Sequence, residues 1–383
     1  MSYAMKMIGE ICTKITSGGT PKSTTAAFYH PKEIPWLKTG EVNYSRIYDT
    51  ENYISKEGLA RSSAKLIPVN SVIVAMYGQG DTAGRVAISK IPLCTNQACC
   101  NLIVNHAVAD YEYVFYALST LYEKLVSLKN GGAQPNLNAG IIKSIEIPFP
   151  NLKTQHRIAE ILSTYDNLIE NNRKQIALLE EAAQRLYREY FVDLRFPGYE
   201  NTKIVDGVPE GWGKELVGNL IAKVPRTKQI KVVDYLSEGV LPIIDQSREF
   251  VAGYTDDKDA LVNTELPIIV FGDHTRILKY IQFPFAKGAD GTQLIISNTT
   301  RMPQSLFYFS LVAVDLSNYH YARHFKYLKA EEIFVPPLDI ANKFDKFASP
   351  ILLRIQKLRD TSNKLSEARD RLLPKLMSGE ITV

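Results

Sequence analysis

Two long stretches of the chain carry an apolar stripe with the spacing of an α-helix. The first lies between Leu152 and Phe196, a span that contains neither glycine nor proline. Its stripe advances in steps of three and four residues, with one four–four stutter at Asn172: Ile158, Ile161, Tyr165, Leu168, Asn172, Ile176, Leu179, Ala183, Leu186 and Tyr190. Such a stripe is typical of a coiled-coil seam, where a polar residue fixes the register at a cost in stability. The pattern predicts a helix from Lys153 to Tyr190.

The second stripe lies between Asp339 and Met377. Its positions are Phe344, Phe347, Ile351, Ile355, Leu358, Ser362, Leu365, Ala368, Leu372 and Leu376. Ser349 and Pro350 suit the N-cap and first positions of a new helix, so we expect the second helix to begin or kink there. Two such stripes can bury each other. The predicted core of the pair is Ile158, Ile161, Leu168, Asn172, Leu179, Leu186, Ile351, Leu358, Leu365 and Leu372.

The segments that precede the two helices repeat each other. Residues 34–37 resemble 241–244, residues 71–78 resemble 266–272, and a short strand ending in proline comes just before each helix. Short β-branched runs punctuated by glycine, proline and asparagine predict the strands of mixed domains. We therefore predict an α+β chain with pseudo-two-fold symmetry, in which mixed α/β domains alternate with long helices. The predicted boundaries are 1–150, 151–196, 197–338 and 339–383.

Composition narrows the function classes only a little. The chain has 45 basic and 41 acidic side chains, and this small excess of +4 is compatible with a nucleic-acid partner without arguing for one. No apolar run approaches the length of a membrane-spanning helix, and the first residues lack an apolar signal region. We expect a cytoplasmic protein without membrane attachment. The four cysteines lack zinc-ligand spacing and are expected to be reduced.

The sequence contains no recognisable catalytic motif. Residues 78–85 are glycine-rich but do not form a nucleotide-binding P-loop, and neither a nucleophile elbow nor a zinc-protease motif occurs. His274, His320 and His324 have no cysteine or carboxylate at metal-ligand spacing. We therefore predict no catalytic residue, no metal site and no cofactor bound by this chain.

Polar loops with arginine, lysine and glycine occur at corresponding places in both halves. Such side chains read base edges and hold phosphates. The candidates in the first half are Lys38, Thr39, Glu41, Tyr77, Gln79, Thr82, Arg85, Asn96, Gln97, Gln134, Asn136 and Asn138. Those in the second half are Gln246, Arg248, His274, Thr275, Arg276, Lys287, Thr292, Gln293, Arg323, His324 and Lys326. The alternative is a protein-interaction scaffold whose paired helices are the functional part.

The chain resembles type I restriction–modification specificity subunits over nearly its whole length. The resemblance rests on the order of four motifs, which occupy residues 34–41, 134–138, 155–162 and 371–381. The second half lacks a close copy of Gln134-Pro135-Asn136-Leu137-Asn138. It has Arg323-His324-Phe325-Lys326 in that place, a motif that also occurs in the family.

The resemblance implies a division of labour in a larger complex. Two target-recognition domains would each read one half of a split, asymmetric site in double-stranded DNA. The two helical regions would pack antiparallel as a spacer and dock two methyltransferase (modification) subunits. Those subunits would use S-adenosylmethionine, and restriction (motor–nuclease) subunits would use ATP and Mg²⁺. This chain would then be non-catalytic.

Overall fold

The computed structural model describes residues 3–129, 136–288, 291–319 and 323–383. The chain divides into two compact units. The first comprises residues 1–169 and 363–383, and the second comprises residues 170–362. Each unit therefore combines a mixed α/β part with a portion of both long helices.

The first unit contains eleven strands among its described residues, and most belong to two mixed sheets. The strands are β1 (Met5–Met7), β2 (Cys12–Ser17), β3 (Ile34–Leu37), β4 (Ser45–Ile47), β5 (Tyr53–Ile54), β6 (Leu66–Ile67), β7 (Val72–Ala75), β8 (Val86–Ser89), β9 (Leu93–Thr95), β10 (Cys99–Val104) and β11 (Glu146–Pro148). The sheets have the orders β2-β10-β7-β8-β4 and β5-β3-β9-β6, and β1 pairs with β11. The strand β7 is a short apolar run that is buried throughout, as expected at the centre of a sheet.

Short helices cover these sheets. They are α1 (Ile8–Ile11), α2 (Lys56–Ala60), α3 (Tyr111–Ser119), α4 (Tyr122–Ser127) and α5 (Ala139–Lys143). The helix α3 begins at an N-cap, where the Asp110 carboxylate accepts a hydrogen bond from the Tyr113 amide at 2.8 Å. Its apolar side chains then join the main core of the unit.

The second unit repeats the first in its strand pairing. Its strands are β12 (Ile204–Val205), β13 (Val208–Pro209), β14 (Gly213–Leu216), β15 (Leu241–Ile244), β16 (Gly253–Thr255), β17 (Ile268–Gly272), β18 (Leu278–Ile281), β19 (Ala286–Lys287), β20 (Thr292–Ile295) and β21 (Glu332–Val335). The strand β17 lies between β18 and β20 as β7 lies between β8 and β10. The strand β15 is antiparallel to β16 and parallel to β19, as β3 is to β5 and β9. The repeat predicted from the amino-acid sequence therefore extends to the sheet topology.

The remaining helices include the two long ones. They are α6 (Leu152–Tyr187), α7 (Gln304–Val312), α8 (Phe325–Ala330) and α9 (Leu338–Ser378), and α6 continues as a π-helical turn over Arg188–Val192. The predicted start of the second helix near Ser349 is wrong, because α9 begins at Leu338 and runs through Pro350. Proline removes one helical hydrogen bond. The preceding turns persist because Ile340, Ala341, Phe344 and Ala348 are buried.

The buried stripe on α6 differs in phase from the predicted one. Leu168 is 45% exposed, whereas its neighbour Ile169 is 4% exposed, so the prediction of Leu168 as a core residue is wrong. With Ile169 in the stripe in place of Leu168, the four–four stutter moves from Asn172 to Tyr165. On α9, Phe347 is likewise exposed and Ala348 is buried. Two adjacent apolar residues can both continue a stripe, and only the partner surface decides between them.

The other predicted core positions face apolar surroundings. Ile158, Asn172 and Leu358 are buried, and the remaining six are partly buried: Ile161, Leu179, Leu186, Ile351, Leu365 and Leu372. In the second unit the two helices are antiparallel, because the partner number on α9 falls as the number on α6 rises. In the first unit Asp166 forms an ion pair with Arg369. In the second unit Glu180 lies 2.8 Å from Arg359, and the rings of Tyr190 and Phe344 lie 6.1 Å apart.

Candidate nucleic-acid interface

In the first unit, the candidate side chains follow a parallel pair of strands. Leu37 at the end of β3 is paired with Thr95 at the end of β9. Because the carboxyl ends of parallel strands lie side by side, the chain leaves both strands at the same edge, and the Asn96 amide donates to the Leu37 carbonyl at 2.9 Å. The predicted residues Lys38 and Asn96 therefore begin neighbouring loops.

Hydrogen bonds add two further loops to this edge. The Met76 amide donates to the Ala98 carbonyl at 2.8 Å, and the Leu137 amide donates to the Met76 carbonyl at 3.0 Å. The loops 38–41, 76–85, 96–98 and 136–138 are therefore joined, and we name them the first loop cluster. Four predicted side chains in it are exposed, namely Lys38, Gln79, Gln97 and Asn138. Gln134 lies outside the described residues.

Several predicted contacts in the first loop cluster have structural roles instead. Thr39 and Thr82 are buried, and the Thr82 hydroxyl donates to the Gln79 carbonyl at 2.7 Å. The prediction of direct DNA contact by these two threonines is therefore corrected. The Glu41 carboxylate accepts hydrogen bonds from the amides of Lys38 and Glu51, so it closes its own loop.

The remaining candidates of the first loop cluster form hydrogen bonds within the fold or are partly buried. The Arg85 guanidinium donates to the Asn43 side chain at 3.1 Å, and the Asn138 side chain caps α5 by accepting from the Ile141 amide at 2.9 Å. Asn96 accepts a weak hydrogen bond from the Cys99 thiol. Tyr77 and Asn136 are partly buried. These side chains contribute to the shape of the loops as well as to their chemistry.

The second unit has the same arrangement beside its own parallel pair. Ile244 at the end of β15 is paired with Lys287 at the end of β19. Gln246 then binds the β17–β18 turn through two bonds: its side-chain oxygen accepts from the His274 amide at 3.1 Å, and its carbonyl accepts from the Thr275 hydroxyl at 2.6 Å. The Asp273 amide donates to the Gly291 carbonyl at 2.7 Å. We name residues 245–249, 273–277, 287–288, 291–293 and 323–326 the second loop cluster.

His324 occupies the place that Leu137 occupies in the first unit. Its amide donates to the Asp273 carbonyl at 2.8 Å, just as the Leu137 amide donates to Met76. The His324 ring is 4% exposed, and its two nitrogens lie 2.9 Å from the Asp273 carbonyl oxygen and 3.1 Å from the Tyr319 carbonyl oxygen. The prediction that His324 contacts DNA is therefore corrected, since the side chain is inside the fold.

Other members of the second loop cluster differ widely in exposure. Thr292 is 1% exposed, so its predicted DNA contact is also corrected. The Arg276 guanidinium donates to the Leu316 carbonyl at 2.9 Å, which anchors the β17–β18 turn. Gln246, Lys287 and Gln293 are partly buried. The candidates that remain exposed are Arg248, His274, Thr275, Arg276, Arg323 and Lys326.

A basic segment that the sequence reasoning missed lies beside the second loop cluster. Lys223, Arg226, Lys228 and Lys231 are all exposed, and no acidic residue separates them. Arg226 lines a groove of about 590 Å³ together with the predicted residues Lys287 and Gln293. Lys228 also forms an ion pair with Asp257 at 2.5 Å. The signal for this segment in the sequence is the run of cations itself.

The described part of the chain contains four free cysteines. Within it, no group of three or more histidine, cysteine or acidic side chains is arranged to hold a metal ion. Cys94 and Cys100 are buried, and burial raises the pKa of Cys94 to about 11 and that of Cys100 to about 12. Thiols with such pKa values are poor nucleophiles at neutral pH. None of the described helices is long and apolar enough to cross a membrane.

Comparisons with known proteins agree with this arrangement. Residues 2–181 match the family model of the type I restriction modification DNA specificity domain. The MjaIX specificity subunit of Methanocaldococcus jannaschii is 27% identical, over 99% of this chain and 93% of its own. The EcoR124I/EcoR124II specificity subunit of Escherichia coli is 30% identical over 50% of this chain and 47% of its own. The crystal structure of the S subunit from M. genitalium has a similar fold, with a TM-score of 0.64 and 17% identity over 98% of this chain and 96% of its own. The chain is therefore similar to type I restriction–modification specificity subunits, and its first half matches their DNA specificity domain.

Proposed function

We propose that this chain reads a bipartite, asymmetric target in double-stranded DNA, one half-site with each loop cluster. One observation carries the proposal. Corresponding loops meet at the carboxyl ends of β3 and β9 in the first unit and of β15 and β19 in the second. The exposed side chains differ, since Lys38, Gln79 and Gln97 stand in one cluster and Arg248, His274 and Arg323 in the other. Different side chains select different bases, so the two half-sites differ.

The chemistry of the exposed side chains suits the major groove. Arginine and lysine donate to guanine, and glutamine can both donate to and accept from adenine. The basic segment 223–231 suits phosphates, which carry no sequence information but supply salt-dependent affinity. In this proposal the second loop cluster reads bases while the basic segment beside it holds the backbone.

The long helices have a separate role in the proposal. Two antiparallel helices with a fixed register act as a rigid spacer. Recognition therefore depends on the number of bases between the half-sites and not on the identity of those bases. We further propose that the chain docks two methyltransferase subunits and, through the complex, restriction subunits. S-adenosylmethionine, ATP and Mg²⁺ belong to those partners, and this chain contributes recognition without catalysis.

The proposal is tested by selecting DNA from a randomised duplex library. The full chain, assembled with its methyltransferase subunits, is incubated with the library at several salt concentrations, and bound duplexes are sequenced. We expect two different conserved blocks separated by a fixed number of unselected bases, and affinity that falls steeply with salt. If no sequence is enriched and no salt-dependent binding is found, the result would favour the protein-interaction scaffold.

A further inference from the structure

A buried lysine lies beneath the second loop cluster. Lys279 is in β18, where it pairs with Val270 of the central strand β17, and only 4% of the residue is exposed. The next residues of the strand, Tyr280 and Ile281, are buried as well. Removing an ammonium group from water is strongly unfavourable unless the protein replaces its hydrogen bonds. The groups that do so identify the structural role of the lysine.

Among the described residues, the hydrogen-bond and ion-pair partners of Lys279 lie in one loop. Its Nζ donates to the Asp245 carbonyl at 2.9 Å and to the Glu249 carbonyl, and it lies 3.9 Å from the Asp245 carboxylate. These residues begin and end the 245–249 loop, which follows β15. Burial lowers the pKa of Lys279, while the charges of Asp245 and Glu249 act in the opposite direction. The lysine therefore ties both ends of this loop to the sheet.

The loop held by Lys279 carries candidate DNA-reading groups. Gln246 and Arg248 lie between the two anchored carbonyls. Gln246 in turn binds the amide of His274 and the hydroxyl of Thr275. Lys279 thus supports from below a loop whose Gln246 is bonded to the exposed residues His274 and Thr275, and its own burial keeps it away from DNA.

The first unit shows that this fold does not require a lysine here. Ala87 occupies the matching position, since it pairs with Ile73 of the central strand β7 and is fully buried. The loop after β3 begins with a 3₁₀ turn, Thr39–Glu41, which is closed by the Glu41 carboxylate. Lys279 therefore serves a loop whose counterpart in the first unit is closed by a different side chain.

We propose that Lys279 is a positioning residue for DNA reading, which fixes the 245–249 loop in the conformation that discriminates the bases of one half-site. The inference rests on the proposed function. It assigns part of the specificity of the second unit to a side chain that touches no base.

The test compares methylation rates of the complex of full chain and methyltransferase subunits on duplexes that carry each single mismatch. With Lys279→Met, which keeps most of the length of the side chain but removes its donors, we expect discrimination in only one half-site to fall about tenfold, the range of one good base contact. The other half-site and the spacing stay unchanged. Lys258→Met, an exposed lysine of the same unit, is the matched control and leaves both half-sites unchanged.

Several outcomes would overturn the inference. Full discrimination in both half-sites, or an equal loss in both, shows that Lys279 does not position this loop. If Lys279→Met fails to assemble, Lys279→Gln, which keeps one amide donor, replaces it under the same criteria. Failure of both variants to assemble makes Lys279 a folding requirement and also overturns it. A wild-type complex without bipartite discrimination contradicts the proposed function itself, which distinguishes the two failures.

Discussion

Asn172 of α6 and Ser362 of α9 face each other, with the amide nitrogen of Asn172 donating to the hydroxyl oxygen of Ser362 at 3.2 Å. The Ser362 hydroxyl donates to the Leu358 carbonyl at 2.9 Å, so it is free to accept from Asn172. Asn172 is 8% exposed. A polar pair in an apolar seam selects one register, because a shifted alignment leaves the buried amide without its partner.

This register allows a paired deletion that shortens the spacer and keeps the remaining contacts. Removing residues 168–174 from α6 and 360–366 from α9 takes one heptad from each helix around the Asn172–Ser362 pair. The helices then shorten by about 10 Å, at about 1.5 Å per residue. We expect the complex to select the same two half-sites with fewer bases between them, as measured by sequencing of bound duplexes.

Deleting residues 168–174 alone is the control for the paired deletion. It shifts α6 against an unchanged α9, so we expect a large loss of thermal stability. An unchanged spacing in the paired deletion would contradict the role of the helices as a spacer.

The phase of the buried stripe predicts different costs for two adjacent residues. Ile169→Ala removes a buried side chain and is expected to cost about 2–4 kcal/mol of stability. Leu168→Ala removes an exposed side chain, and we expect a change within about 0.5 kcal/mol. Thermal melting of the two full-length variants measures the difference. Equal destabilisation would restore Leu168 to the core and contradict the register.

The helices could be predicted from sequence because apolar spacing reports helical period directly. Their phase could not, since Leu168 and Ile169 are both apolar and only the partner surface distinguishes them. The same limit applies to Phe347 and Ala348. The start of α9 was missed because the local signal at Ser349 and Pro350 is weaker than the burial of the turns before it.

The loop clusters were predictable in part, because similar sequence motifs recur in both halves of the chain. The burial of His324 was not, since it depends on a long-range hydrogen bond to Asp273 that places the residue where Leu137 lies in the first unit. The role of Lys279 was equally hidden, because a single lysine in a strand gives no sign of which loop it holds.

Substitutions of Arg323 and His324 are expected to distinguish a role in DNA recognition from a role in folding. Arg323→Ala removes an exposed cation, and we expect relaxed specificity in one half-site, with a loss of about 1–3 kcal/mol if the residue reads a base. His324→Leu copies Leu137. We expect lower thermal stability, because the hydrogen bond from the ring to a backbone carbonyl is lost, but an unchanged base preference. Library selection and thermal melting report the two effects. Altered base preference in His324→Leu would contradict its structural role.

The basic segment is expected to contribute affinity without sequence information. The double variant Lys223→Ala/Arg226→Ala should weaken binding to all sequences alike and reduce the slope of log affinity against log salt by about two. Fluorescence anisotropy with a selected duplex and an unrelated duplex measures both effects, and Lys203→Ala, an exposed lysine of the same unit, serves as the control. A loss confined to the selected duplex would assign base reading to this segment.

The most direct test of bipartite DNA reading is a genome-wide map of methylated adenines. Cells that express the methyltransferase subunit with this chain are compared, by single-molecule sequencing, with cells that express the methyltransferase subunit alone. We predict one split, asymmetric motif with a fixed spacer, present only when the chain is present. A methylation pattern that is the same with and without the chain would contradict its role in DNA recognition.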